Sequence, residues 1–387
     1  MRISRVNIEN FRGIRQAEIH FSGTSVLLGD NNTGKSTVFE AIELAIGADR
    51  LARTQAIDEH DFYGGDYLPV EGGPQKRIVV EVVIAGLDEA HCTKFRNNLE
   101  FWRQADRSHL GPGQGANLGQ PGIEPAVRIR FEGAYDPEND DFMANTCFAV
   151  PRHEDGAPIN ECRSSDKREF GFLHLRALRT GNRALSMERG SLLDIILKTY
   201  EVRTRMREGL LRQLRDLDVV GANDPEFGRI LTAIRDAMRD IVPGEWADAP
   251  HLRVSELTRE DLRRVLKSFL ATGVPGYAAP FQHQGSGTIN ALVLAMLGLI
   301  AERRNGRVIF AMEEPELSLP PHVQKRVVDK VRGIAAQALF TSHSPYVIEQ
   351  FQPEQMMVMT RNAVGVLTAL NIALPENLKL KTFRDGF

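Results

Sequence analysis

Residues Gly29–Thr37 have the sequence GDNNTGKST, which matches the pattern G-x-x-x-x-G-K-[ST]. The apolar segment Ser25–Leu28 precedes this stretch, and the amphipathic segment Lys35–Ile46 follows it. We therefore predict a strand, a glycine loop and a helix, in that order. Glycines allow successive backbone N–H groups to turn inward, and the positive end of the following helix adds to their attraction for an anion. The stretch predicts a phosphate-binding loop.

The residue types of the loop indicate what it would bind. Lys35 is expected to reach the β- and γ-phosphates of a nucleotide, and the Ser36 hydroxyl is expected to bind Mg²⁺. ATP and Mg²⁺ are therefore the expected cofactors, and Lys35 also counts as a catalytic residue. The other residues predicted to contact the nucleotide are Gly29, Asp30, Asn31, Asn32, Thr33, Gly34 and Thr37.

A second segment supplies the carboxylates that such a loop needs. The apolar run Val308–Met312 leads directly into Glu313 and Glu314. We predict that Glu313, at the strand end, holds the metal together with Ser36. Glu314 is then the catalytic base that orients the attacking water.

Two further features lie on either side of this strand. Gly285, Ser286 and Gly287 precede a very apolar helical stretch, where exposed N–H groups can bind a phosphate. A plain glycine-rich helix entry is the alternative. Downstream, Ala335–Phe340 is predicted to be a strand, and His343 follows it as a catalytic candidate that senses the γ-phosphate. A lone histidine is more often structural, and its place after a third apolar strand favours the sensor.

Composition restricts the class of protein. The 387 residues carry a net charge of −3, which excludes a binder with a globally basic surface. The three cysteines lack the spacing of a metal site or a disulfide framework. The longest apolar stretch, Ile289–Ala301, is too short to span a bilayer. We expect a cytoplasmic protein with two or three domains and no membrane partner.

Periodicity along the chain predicts three regions. Residues 1–183 combine the phosphate loop with a β-rich lobe, residues 184–245 have helical periodicity, and residues 246–387 return to alternating helix and strand. Within the third region we predict a helix over Arg259–Leu270. A second glycine-rich stretch, Gly111–Gly122, follows no strand and opens no helix, so we interpret it as a surface loop.

The order of these motifs resembles the ABC-type ATPase heads of the RecF/SMC group. The stretches NIENFRGI, HDFYGGD, HQGSGT, FAMEEPELSLPPH and TSHSPYVIEQF are similar, more narrowly, to the ATPase portion of OLD-family (overcoming lysogenization defect) ATP-dependent nucleases. The resemblance implies an α/β fold, an ABC-type P-loop ATPase head with a mixed β lobe and a parallel-sheet α/β lobe. It also implies that the helical insertion contributes to a dimer.

The resemblance implies further roles for individual residues. Gly285, Ser286 and Gly287 would complete the nucleotide site of a second chain, so that ATP lies between the protomers of a homodimer. Asp61 would contact the metal, although Asp58 and Glu59 are equally close to that position in the sequence. Arg12 would lie near the edge of the nucleotide.

OLD nucleases continue into a Toprim domain, whose carboxylates bind the metal ions that cleave DNA. The residues after His343 contain no Asp-x-Asp pair. The resemblance therefore implies a Mg²⁺-dependent ATP-hydrolysing domain that regulates DNA binding or cleavage by a Toprim domain outside this chain, in phage defence or DNA repair. The open alternative is a stand-alone RecF/SMC-like ATPase that binds DNA or controls a partner effector. Neither interpretation expects nuclease activity from this chain alone.

Overall fold

A computed structural model describes residues 1–48, 57–68, 73, 75–110, 120–150, 160–175, 191–200, 209, 229, 232–233, 269–271, 278–280, 286–304, 306–316 and 321–372. The chain divides into two compact units, Met1–Thr180 with Asn290–Phe387, and Gly181–Ile289. The regional boundaries that we expect after residues 183 and 245 stay predictions.

The first unit is built on a mixed sheet that has 13 strands in the described residues. Their order is β6-β5-β7-β4-β1-β2-β15-β14-β3-β13-β12-β9, and β8 also pairs with β7. The second unit contains the antiparallel pair β10 and β11. The strands are β1 Arg2–Phe11, β2 Ile14–His20, β3 Ser25–Leu28, β4 Arg77–Ala85, β5 Glu100–Arg103, β6 Ser108–Leu110, β7 Ile123–Asp136, β8 Asp141–Phe148, β9 Phe172–Leu175, β10 Phe269–Ala271, β11 Ala278–Pro280, β12 Ile309–Glu313, β13 Gln337–Thr341, β14 Met356–Arg361 and β15 Val366–Asn371.

The described helices vary widely in length. None of them combines the length and the apolar composition that crossing a membrane requires. The α-helices are α1 Lys35–Ile46, α2 Glu89–Lys94, α3 Ser164–Glu169, α4 Leu192–Thr199, α5 Ser286–Arg303, α6 Pro321–Ile334 and α7 Pro345–Ile348. Short 3₁₀ helices occupy Glu59–Asp61, Tyr63–Gly65, Arg96–Asn98 and Pro353–Gln355.

The sheet has an antiparallel part and a parallel part. Strand β1 pairs antiparallel with β2 and β4, and β4 pairs antiparallel with β7. In the parallel part, each strand runs parallel to the next in the order β14, β3, β13, β12 and β9. The two parts join where β15 pairs with β2 at Gln16 and Ala17. This arrangement confirms the predicted α/β fold with a mixed lobe and a parallel-sheet lobe.

Helix α1 lies against both parts of the sheet. It packs on β1, β4 and β7 of the antiparallel part and on β9 of the parallel part. Its buried side chains include Val38, Phe39, Ile42 and Ile46, and burying a side chain of this size contributes about 1.5–3 kcal/mol. The predicted bounds of β3 and α1 are confirmed. The loop between them therefore has a fixed position at both ends.

A buried glutamine connects β13 to the first strand. Gln337 Oε1 accepts a hydrogen bond from Ile3 N at 2.8 Å, and Nε2 donates to Ile3 O at 3.0 Å and Gly23 O at 2.9 Å. The side chain is fully buried. It therefore satisfies backbone groups that would otherwise lack a partner in the core.

Residues 259–268 of the helix predicted over Arg259–Leu270 lie outside the described residues, and the prediction is wrong for the last two residues. Phe269 and Leu270, the last part of the helix predicted over Arg259–Leu270, form strand β10 and pair with β11. Pairing with a partner strand decides the structure of a short apolar segment, whereas periodicity alone leaves it ambiguous. Residues 111–119 of the second glycine-rich stretch lie outside the described residues.

Candidate functional site

The glycine loop connects the end of β3 to the start of α1. Gly29 has φ +151°, and a Cβ atom at this position would lie 2.6 Å from Met359 O. Gly34 caps α1 with φ +107°. Because other L-residues rarely adopt these angles, and because Gly29 has no room for a side chain, the path of the loop requires glycine at both positions.

Lys35 is buried beneath this loop. Its Nζ donates to Gly29 O at 2.7 Å and to Asp30 O at 2.8 Å. Burial lowers the pKa of Lys35, and the neighbouring carboxylates of Glu314 and Asp30 oppose that shift. The ammonium group is thus held against the first residues of the loop.

The other loop residues form a polar surface. Asp30, Asn31 and Asn32 are exposed, and Asn32 has φ +64°. Thr33 closes a turn, because its N and its Oγ1 both donate to Asp30 O, at 3.3 and 2.9 Å. Thr37 is half-buried in the first turn of α1. The exposed part of the loop is therefore accessible to a ligand.

A carboxylate joins the loop to the parallel strands. Ser36 Oγ donates to Glu313 Oε2 at 3.1 Å, although the two residues are 277 positions apart. The other oxygen, Oε1, lies 2.7 Å from His174 Nε2, and His174 Nδ1 lies 3.1 Å from Glu43 Oε2. The structure thus brings together two of the three predicted metal ligands, Ser36 and Glu313.

Sequence reasoning missed His174, whose side chain is 0% exposed. Burial disfavours the charged imidazolium, but hydrogen bonds to Glu313 and Glu43 outweigh it, so that the pKa of His174 is raised. A single histidine in the apolar segment Phe172–Leu175 has the pattern of a core residue. The register of β9 on β12 places His174 opposite Ala311, two residues before Glu313.

Glu314 follows β12 in a left-handed backbone conformation with φ +41°. This conformation is strained for a residue other than glycine. Its N donates to Thr341 O at 2.9 Å, which holds the turn against the end of β13. The Glu314 carboxylate is close enough to Lys35 to oppose the lowering of that lysine's pKa by burial. The predicted base therefore lies near the glycine loop.

Glu316, which sequence reasoning also left without a role, connects this turn to the segment after β13. Its Oε1 accepts from Ser342 Oγ at 2.9 Å, from His343 N at 2.8 Å and from Ser344 N at 3.3 Å. Ser344 Oγ donates in turn to Gln324 Oε1 of α6 at 2.6 Å. The backbone at His343 is thereby fixed, whereas His343 itself is exposed.

Arg12 and Asp61 contact each other directly. Arg12 Nε donates to Asp61 Oδ1 at 2.7 Å, and Arg12 N donates to Asp61 O at 2.8 Å. Arg12 also forms an ion pair with Glu40 of α1. Asp61 is therefore the partner of an arginine in this structure, and its contact with a metal stays a prediction.

An open pocket with a volume of about 610 Å³ adjoins this ion pair. Arg12, Gly13 and Asp61 are among its lining residues. Gly34 of the glycine loop lies against Ile14, because a Cβ atom on Gly34 would come within 3.5 Å of that side chain. The pocket and the loop are therefore neighbours along the chain segment Gly13–Ile14.

The segment predicted to contact a second chain is described in part. Ser286 and Gly287 are the first two residues of α5, which confirms the predicted helix start. Gly285 lies outside the described residues. The contact of this segment with a partner stays a prediction.

The oxygen atoms of Ser36 and Glu313 suit Mg²⁺. A hydroxyl and a carboxylate are hard ligands, and protein-bound Mg²⁺ usually takes one or two carboxylates together with the phosphates of a substrate. Within the described ranges, no group of three or more His, Cys, Asp and Glu side chains is arranged to hold a metal ion. The donor set fits a metal that a nucleotide helps to bind.

Together these features define a class of protein. The glycine loop follows β3, the carboxylates end β12, and β13, which leads to His343, lies between those two strands in the sheet. This is the fold of an ABC-type P-loop ATPase head.

Comparison with known proteins agrees with this class. A family profile described as AAA ATPase domain matches residues 1–100 and 256–348. Over 102 residues the chain is 42% identical to the DNA double-strand break repair Rad50 ATPase of Methanopyrus kandleri, and the match covers 26% of this chain and 10% of that protein. The chain thus spans about a tenth of the length of this curated relative.

A solved structure shows the same fold. The SmcHead in its crystal structure with the C-winged helix domain of ScpA has a TM-score of 0.51 and 13% identity to this chain. The match covers 99% of this chain and 100% of that chain. The protein therefore shares the fold of an SMC head.

Proposed function

We propose that the chain is the Mg²⁺-dependent ATP-binding and ATP-hydrolysing domain of an OLD-type DNA nuclease. It acts as a dimeric nucleotide switch that regulates DNA binding or cleavage by a Toprim domain outside this chain, in phage defence or DNA repair. The observation that best supports ATPase activity is the 3.1 Å hydrogen bond from Ser36 Oγ to Glu313 Oε2, because it joins the loop hydroxyl to the strand carboxylate. The motif resemblance supports the connection to OLD nucleases.

The glycine loop supports the binding of phosphates. Lys35 Nζ, which contacts the Gly29 and Asp30 carbonyl oxygens, would exchange these neutral acceptors for oxygens of the β- and γ-phosphates. Hydrogen bonds between charged groups are about twice as strong as those between neutral groups. The exchange therefore favours the nucleotide-bound state.

Ser36 and Glu313 support a metal beside these phosphates. Their oxygen atoms would bind Mg²⁺, which supplies neutralising charge to the β- and γ-phosphate oxygens when it is bound. The contact of Asp61 with the same metal belongs to the proposal, and it requires that the Arg12–Asp61 ion pair open.

Hydrolysis needs a base beside the γ-phosphate. We assign this role to Glu314, because it follows the metal carboxylate directly and lies close enough to Lys35 to influence the pKa of that lysine. The exposed His343, whose backbone Glu316 fixes, would contact the γ-phosphate.

The pocket beside Arg12 supports the binding of the base and ribose. Its volume of about 610 Å³ is within the range of small-molecule sites. A guanidinium group can stack on an aromatic base. The site would be completed by Gly285, Ser286 and Gly287 of a second copy, which places ATP between two protomers.

A direct test measures ATP binding and hydrolysis with Mg²⁺ for the wild type, Lys35→Ala and Glu314→Gln. Lys35→Ala is expected to lose ATP binding, whereas Glu314→Gln keeps binding and loses about 10²–10⁴-fold in kcat. Matched controls are Lys325→Ala and Glu349→Gln, which each break one surface ion pair and should leave both measurements unchanged.

Two outcomes would contradict the proposal. Hydrolysis at the wild-type rate by Glu314→Gln would show that Glu314 is not the catalytic base. Efficient DNA cleavage by the purified 387-residue chain would contradict the assignment of cleavage to a separate Toprim domain.

The 42% identity to a Rad50 ATPase over 102 residues favours a second candidate function. In this case the chain is a RecF/SMC-like ATPase that binds DNA or controls a partner effector and has no nuclease domain. DNA cleavage assays on the complete protein from its source distinguish the two, since only the first candidate predicts cleavage.

A further inference from the structure

His174 is buried beside the carboxylate that we assign to the metal. It lies opposite Ala311 in the pairing of β9 with β12, and Glu313 follows two residues later on the same face of β12. Helix α1 covers this face. Phe39 meets the imidazole edge-on with ring centroids 6.0 Å apart, and Glu43 lies 3.1 Å from Nδ1. The imidazole therefore has contacts on its strand side and its helix side.

The ring contacts one oxygen of Glu313, and Ser36 contacts the other. His174 Nε2 lies 2.7 Å from Oε1, and Ser36 Oγ lies 3.1 Å from Oε2. A glutamate side chain rotates about several bonds, and fixing it during ligand binding costs free energy. Because a rigid buried ring already holds Oε1, Oε2 has a defined direction toward the loop before any ligand binds.

We propose that His174 is a positioning residue that holds Glu313 in the orientation needed to bind Mg²⁺ with ATP. It has no contact with ATP or with the metal in this role. His174 can act in this way only if Glu313 is a metal ligand, so the inference rests on the proposed function.

Two polar substitutions at the same position provide the test. His174→Gln places an amide nitrogen near the position of Nε2, so it can still donate to Glu313. His174→Asn reaches only as far as Nδ1, on the side of Glu43. Binding of a fluorescent ATP analogue is measured at rising Mg²⁺ concentrations and in EDTA, and the readout is the Mg²⁺ concentration that gives half of the Mg²⁺-dependent increase in affinity.

We expect His174→Asn to raise this Mg²⁺ concentration by about tenfold or more, the usual effect of losing the residue that orients a metal ligand. Its binding of the analogue in EDTA should stay the same. His174→Gln should stay close to the wild type. The matched control is His91→Asn, since His91 is also buried and lies 2.7 Å from a carboxylate, that of Asp88. This control should leave the Mg²⁺ dependence unchanged.

An unchanged Mg²⁺ dependence in His174→Asn would overturn the positioning role. An equal shift in His174→Asn and His174→Gln would overturn it as well. A wild-type protein that binds no ATP, or binds it equally well with Mg²⁺ and with EDTA, would instead contradict the proposed function. Glu43→Gln is an independent variant in case His174→Asn does not fold. It weakens the second contact of the ring and should raise the Mg²⁺ requirement in the same direction, and an unchanged requirement also overturns the role.

Discussion

At the scale of single residues, the Glu316 carboxylate connects two segments of the site. Its Oε1 accepts hydrogen bonds from Ser342 Oγ, His343 N and Ser344 N. We predict that Glu316→Ala lowers the free energy of unfolding by about 1–3 kcal/mol, because partly buried donors lose their acceptor. It should also lower kcat, since the backbone at His343 is no longer fixed. Urea denaturation followed by circular dichroism measures the first effect, and ATP hydrolysis at saturating ATP measures the second.

Glu138→Ala is the control for this prediction, because Glu138 is exposed between β7 and β8. Its free energy of unfolding should match that of the wild type. If Glu316→Ala also matches the wild type, the segment after β13 keeps its conformation without this carboxylate.

The residues of the site differ in how far the sequence reveals them. Lys35, Ser36 and Glu313 are predictable, because the chemistry of a phosphate loop fixes their types and their order along the chain. His174 is not, because its partner Glu313 is 139 positions away and its neighbours in the sequence are apolar. The Arg12–Asp61 ion pair is missed for the same reason, since only the fold brings these residues together.

At the scale of elements, α3 is connected to its neighbours by a buried lysine. Lys167 is 1% exposed, and its Nζ donates to Thr146 Oγ1 at 2.9 Å and to Leu44 O at 3.3 Å. Leu44 lies in the last turn of α1, where carbonyl groups lack helical partners and a positive charge is favourable. Burial lowers the pKa of Lys167 from 10.5 to about 8, and the Cys162 thiol opposes the shift.

This lysine makes stability depend on pH. Between about pH 8 and pH 10.5 the unfolded chain binds more protons at Lys167 than the folded protein does, so its contribution to stability rises with pH. Below pH 8 the cost of the buried charge is constant. We predict that the free energy of unfolding of the wild type, relative to Lys167→Met, increases by about 3 kcal/mol between pH 7 and pH 10.5. Urea titrations at both ends of this range measure it.

Lys325→Met, at an exposed surface ion pair, is the control and should show a much smaller change over the same range. A difference between the wild type and Lys167→Met that does not vary with pH would mean that the folded and unfolded states have the same pKa at this residue.

Elements themselves follow from the sequence where local and tertiary preferences agree. β3 and α1 have their predicted bounds, because glycine ends the strand and begins the helix. In the helix predicted over Arg259–Leu270, the apolar residues at the end instead pair with β11. Three-residue strands carry too few residues for periodicity to identify, so their partner must be known first.

At the scale of the whole molecule, the proposed ATPase needs two copies of the chain. We predict that Glu314→Gln with ATP and Mg²⁺ has twice the single-chain mass of 43.2 kDa, because blocked hydrolysis keeps ATP between the protomers. Light scattering after size exclusion measures this mass, and samples with ADP and without nucleotide show whether the dimer depends on ATP. A single-chain mass in every nucleotide state would contradict the proposal that Gly285, Ser286 and Gly287 of a second copy complete the nucleotide site.

The sheet of the first unit continues from β6 to β9 and includes β3, whose end carries the glycine loop. Its antiparallel and parallel parts are joined by the pairing of β2 with β15 at Gln16 and Ala17, so the two parts cannot separate without losing backbone hydrogen bonds. We predict that a displacement at the end of β3 is transmitted through the paired strands and rotates the sheet as a unit. In such a rotation the displacement of a strand grows with its distance from the rotation axis. The outermost strand β6, Ser108–Leu110, should therefore move further than the glycine loop. A spectroscopic distance label on β6 would thus amplify a movement too small to detect beside the nucleotide.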